Sequence, residues 1–122
     1  METIEEKLEV KSRLFRVNLL QLENASVAFF FEDRMRMGTV AIAMPGTGEV
    51  AVGRSSVLVG GKYLMTTRAL AERLAAKTAK IALVSLFTEL DEAEALRMYA
   101  KLIDKIPAAS HARPSPQTVN SI

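Results

Sequence analysis

The chain has 122 residues, 49% hydrophobic and 25% charged, with 16 basic and 14 acidic residues for a formal net charge of +2. That length predicts one domain with a modest core, and so even a charge balance gives no argument for a nucleic-acid surface despite a pI of about 9.1. Cysteine is absent, which excludes disulfides and thiolate ligands, and no apolar run approaches the roughly 20 residues that span a bilayer.

Residues 1–13 are dense in charge, with Leu8 and Val10 alternating with it. They predict an N-terminal edge strand or a frayed segment, without the apolar stretch of a secretory signal. Residues 14–22 read as a strand with Phe15, Val17 and Leu19 on one face. After a polar break at Glu23 and Asn24 come two apolar runs, residues 27–31 and 39–44, around a charged tip at residues 32–36. They predict a hairpin. Period two assigns Val27, Phe29 and Phe31 to one face and Ala28 and Phe30 to the other, and Val40, Ile42 and Met44 oppose Thr39, Ala41 and Ala43. Neither run has a polar face, so both faces of this hairpin need cover.

Pro45, Gly46 and Gly48 end the hairpin in a loop. Short strands are expected at residues 49–52 and 55–59, then a turn at Gly60 and Gly61. From residue 62 to residue 80 the period becomes helical, with Tyr63, Thr67, Leu70, Leu74 and Ala75 on one stripe. Residues 81–87 form a buried strand. Asp91 is an N-cap for a last helix whose stripe is Leu96, Tyr99, Leu102, Ile103 and Ile106, and Pro107 stops it. The polar, proline-bearing tail, residues 107–122, is expected to be disordered. The composite is an α+β domain over residues 14–106: a mainly antiparallel sheet of about six strands with two long helices packed on one face.

No catalytic constellation emerges. The single histidine, His111, lies in the tail with no second ligand. Gly60-Gly61-Lys62 lacks the spaced glycine and following hydroxyl of a phosphate loop, having Ser56 and Tyr63 there. Glu89, Asp91, Glu92 and Glu94 are what a helix N-terminus prefers. The expectation is a protein without enzymatic activity, metal or cofactor.

Residues 14–106 resemble the small proteasome assembly chaperones, the chaperone 3 and 4 family. The resemblance is carried by the stretch VAFFFEDRMRMGTVAIAM with its Met-Gly-Thr, by Ser56-Val57-Leu58-Val59-Gly60 before a long helix, by the strand at residues 80–87, and by the closing amphipathic helix. It implies a non-enzymatic, cytoplasmic chaperone that pairs with itself or a paralogue and helps proteasome α-subunits assemble, without nucleic acid or membrane as partner. The ending Asn120-Ser121-Ile122 lacks the hydrophobic-tyrosine tail of several proteasome-docking proteins. A roadblock or longin-like dimeric scaffold is the alternative, and would require a helix within residues 1–13.

The helices can cover one face of the sheet only, so the other face is expected to meet a second copy. Candidate interface residues are Phe29, Phe30, Phe31, Val40 and Ile42, with the face left open because a one-residue slip exchanges the two sets. The charged tip, Asp33, Arg34 and Arg36, is the candidate contact for the α-subunit partner.

Overall fold

The computed structural model describes residues 2–46 and 54–109. Among them the order is β1 (Glu2–Val10), β2 (Arg13–Gln21), β3 (Ala25–Glu32), β4 (Thr39–Met44), β5 (Arg54–Val59), α1 (Leu64–Thr78), β6 (Ile81–Phe87) and α2 (Glu92–Asp104). The expected strand at residues 49–52, His111 and nearly all of the tail lie outside the described residues.

The fold is α+β: a mostly antiparallel six-stranded sheet in the order β1-β2-β3-β6-β4-β5 with two helices. One expectation is overturned. β3 and β4 are not a hairpin, because β6 lies between them, parallel to β3 and antiparallel to β4. β3, β6 and β4 are inner strands: one apolar face of each lies under the helices, and the other adds to a shared surface on the opposite side of the sheet. The sixth strand is supplied by the N-terminus. β1 pairs with β2 along its whole length, from Glu2 opposite Gln21 to Val10 opposite Arg13. Its turn is Lys11-Ser12, both at positive φ (52° and 67°). Such a turn suits the twist of a hairpin but normally takes Asn-Gly, so the local sequence does not announce it.

Cross-strand register sorts every strand into two faces. Phe15, Val17 and Leu19 of β2, Ala28 and Phe30 of β3, Ala82, Val84 and Leu86 of β6, and Ala41 and Ala43 of β4 are buried beneath the helices. α1 packs over β4, β5 and β6, and α2 over β2 and β1. α1 buries Thr66, Thr67, Leu70, Ala71, Leu74, Ala75 and Thr78. Its small residues let the helix approach the alanines of β4 closely. Tyr99 of α2 is fully buried in the core, where Phe15 and Phe30 stand edge-on to its ring, with centroids 5.8 and 5.7 Å away. Such aromatic pairs contribute about 0.5–1.5 kcal/mol beyond their buried area.

The helices are tied together at their starts. The Asp91 side chain accepts from the Glu94 N–H at 2.8 Å, the expected cap. α1 instead begins at Tyr63 in the left-handed region, with no side-chain cap of its own. Its Thr66 N–H is met by the Glu92 carboxylate of α2 at 3.0 Å. Gly60, at φ 127°, brings β5 over Thr39, where an added Cβ would lie 2.5 Å from the Thr39 hydroxyl oxygen. There glycine is required by both conformation and space.

Candidate functional site: the open face of the sheet

The face opposite the helices carries the complementary residues of each inner strand. Leu20 lies opposite Val27, Asn18 opposite Phe29 and Arg16 opposite Phe31. β6 continues the rows, with Leu83 beside Val27, Ser85 beside Phe29 and Phe87 beside Phe31. β4 adds Val40 beside Ser85 and Ile42 beside Leu83. None of the described elements lies over this face. Phe29, Val40, Ile42 and Leu83 are half-buried by their neighbours alone.

Of the expected interface residues, the structure therefore brings Phe29, Phe31, Val40 and Ile42 together on one surface. Phe30 is removed from the set. It is fully buried on the helix side against Tyr99, because strand parity turns it away from its neighbours. Phe31 faces the open side, yet only 2% of it is exposed. The Arg16 guanidinium lies over its ring at 5.7 Å, and that of Arg36 lies over the adjoining Phe87 ring at 5.0 Å. A cation over an aromatic face is attracted by the ring quadrupole. The apolar surface thus has a cationic rim.

The expected partner-contact residues belong to the connection from β3 to β4. Asp33 is at φ 59°, its N–H donating to the Leu14 carbonyl at 3.0 Å and its own carbonyl accepting from Arg16 at 3.3 Å. Arg34 and Arg36 are exposed just beyond it. This connection crosses the end of β6 and is not a hairpin tip. At Gly38 it runs so close that an added Cβ would lie 2.0 Å from the Leu86 carbonyl oxygen.

Sequence reasoning missed Glu32, which it placed in the solvated tip. Glu32 closes β3 and its carboxylate accepts from Nε and Nη2 of the Arg13 guanidinium (2.9–3.1 Å), the Thr88 hydroxyl (2.7 Å) and the Glu89 N–H (2.8 Å). Burial acts to raise its pKa, but the hydrogen bonds from Glu89, Thr88 and Arg13 outweigh it and hold the carboxyl below its ordinary value. The partners come from the β1–β2 corner and the β6–α2 connection, so no local pattern signals them.

At the same end of the sheet, Tyr63 donates to the Leu90 carbonyl at 2.6 Å. Burial, followed by the nearby charges of Glu32, Glu92, Asp91 and Glu89, pushes its phenol up. Among the described residues no group of three or more acidic or histidine side chains is placed to hold a metal ion. No helix among them is long and apolar enough to cross a membrane.

No protein-family model and no curated protein sequence matches the chain. A solved structure does: a chaperone complex for yeast 20S proteasome assembly, with a TM-score of 0.62 over 85% of this chain and 90% of that one, at 11% sequence identity. At that identity it is a likeness of fold.

Proposed function

We propose that the chain is a non-enzymatic chaperone of the cytoplasm that works as a dimer and assists the assembly of proteasome α-subunits. The observation that carries this reading is the open apolar face, centred on Phe29, Ile42 and Leu83, in a fold shared with a chain of a proteasome assembly chaperone complex. Burying each large apolar side chain contributes about 1.5–3 kcal/mol. Several left in water would offset much of a typical net stability of about 5–15 kcal/mol. A second copy laid sheet to sheet covers the same surface on both partners by two-fold symmetry. A paralogue of the same pattern would do so as a heterodimer.

The exposed Arg34 and Arg36 beside this face supply charges that can orient an α-subunit during encounter. The roadblock alternative loses support, since residues 2–10 form a strand where that order requires a helix.

The test is capture of partners from an extract of the source cell. Proteasome α-subunits, free or in half-rings, should be enriched over the finished particle. Reversing the charge of Arg34 and Arg36 together should weaken the capture without lowering the melting temperature. Failure to enrich α-subunits at all would overturn the proposal.

A further inference from the structure

Large apolar side chains left in water are unevenly placed. Among the described residues eight are exposed, and six of them, Met35, Met37, Leu58, Val59, Leu64 and Met65, belong to one end of the sheet, with only Met44 and Ile81 at the other. The methionines at 35 and 37 lie on the β3–β4 connection, Leu58 and Val59 end β5, and Leu64 and Met65 open α1. These three segments converge: Val59 pairs with Val40 at the start of β4, and the Thr39 hydroxyl donates to the Lys62 carbonyl. Facing Leu64 and Met65 across a groove of about 650 Å³ is the β6–α2 connection with Glu89, Asp91 and Glu92. A second hollow of about 370 Å³ shares Lys62, Tyr63 and Glu89 with it and continues toward Thr39 and Phe87. The hydrogen bond from Tyr63 to the Leu90 carbonyl closes the floor.

We propose that this groove docks an extended segment of a partner protein in which a lysine or arginine stands beside large apolar side chains. Each wall selects one half of that description. Met65 is 77% exposed on the first turn of α1, where a flexible thioether adapts to apolar partners. Leu64 stands beside it on the same wall, and an exposed apolar patch larger than scattered single side chains marks an interaction site. The opposite wall is acidic. Asp91 and Glu92 each commit an oxygen to a helix N-terminus, while the Glu89 carboxylate accepts no hydrogen bond from the described residues. Among the residues lining the groove the one cation is Lys62, drawn over the Tyr63 ring at 5.8 Å, while Arg34 and Arg36 share a neighbouring hollow with Glu89. Within the groove's own lining, three carboxylates against one ammonium favour a basic segment and repel an acidic one. No residue lining the 650 Å³ groove belongs to the open face, so this groove can be filled while that face is paired. The proposal holds whether or not α-subunits are the partner.

The test uses the full chain and two fluorescein-labelled octapeptides, one alternating leucine with arginine, the other leucine with glutamate. Fluorescence anisotropy should detect binding of the first and not the second. Amide chemical-shift changes should concentrate at residues 61–65 and 89–92. The double variant Met65→Ser, Glu89→Gln, which leaves both helix caps intact, should bind at least about 10-fold more weakly at an unchanged melting temperature. Equal binding of the leucine–glutamate peptide, shifts centred on Phe29 and Ile42, or undiminished binding by the double variant would overturn the proposal. So would a change in sedimentation of the free double variant, which would make a second copy the occupant.

Discussion

Glu92, the first residue of α2, caps α1 through Thr66. Its carboxylate accepts from the Thr66 N–H at 3.0 Å, and the Thr66 hydroxyl donates back to the Glu92 carbonyl at 3.0 Å. An orphan N–H at the start of α1 is thereby satisfied, the Thr66 hydroxyl ties the two helices together, and the negative charge sits at the positive end of α1. Glu92→Ala should cost about 0.5–2 kcal/mol, the usual range for a lost cap. Urea denaturation measures it. An equal loss in Thr66→Val, with no further loss in the double variant, would establish that the two residues act as a unit.

Glu32 should make stability depend on acid. Its folded-state pKa lies below its unfolded value, so its contribution is fully present above the unfolded pKa of about 4.3 and is lost as pH falls through the folded value. Glu32→Gln should therefore lower the urea midpoint more at pH 7 than at pH 3. A difference independent of pH would mean that the ionised form is not favoured by folding.

Tyr99 carries a hydroxyl that is buried without a hydrogen-bond partner among the described residues. Burial pushes its phenol well above the ordinary value. Tyr99→Phe keeps both edge-on contacts and removes the unpartnered group. It should raise stability, by up to about 1–3 kcal/mol. A fall in the melting temperature would point to a partner for the hydroxyl.

The Lys11-Ser12 turn holds two non-glycine residues at positive φ. Residues held in the left-handed region cost of order 1–3 kcal/mol each. Replacing the pair by Asn-Gly should stabilise the β1–β2 hairpin, read as a higher urea midpoint and slower amide exchange along β1. Unchanged exchange would mean that β1 is limited elsewhere.

Phe29 and Phe30 should separate association from folding. Phe30→Ala opens a cavity against Tyr99 and should cost about 3–5 kcal/mol. Phe29→Ser alters the open face and should shift sedimentation at micromolar concentration toward the monomer with little loss of secondary structure. If wild type and Phe29→Ser sediment alike, the open face is not where two copies meet.

Much of this architecture is written locally. Alternation in residues 14–22 marked Phe15, Val17 and Leu19 as one buried face, the change of period after Gly60 marked α1, and Asp91 with Pro107 bracketed α2. These features rest on propensity, capping and periodicity, which act over a few residues. β1 was half-legible, since its Lys11-Ser12 turn lacks the residues that its backbone geometry favours. Neighbour order was not legible at all. Residues 27–31 and 39–44 read as a hairpin because consecutive strands usually pair, yet their two apolar faces are equally the mark of strands flanking a third, and β6 arrives from about 40 residues later. The register with β2 decides which of Phe29 and Phe30 meets the helices, since Phe30 lies opposite the buried Val17. Likewise Glu32 gathers Arg13, Thr88 and Glu89 from 19 to 57 residues away. Strand parity is a local property of the chain; which face is covered, and which distant groups satisfy a carboxylate, are set by tertiary packing.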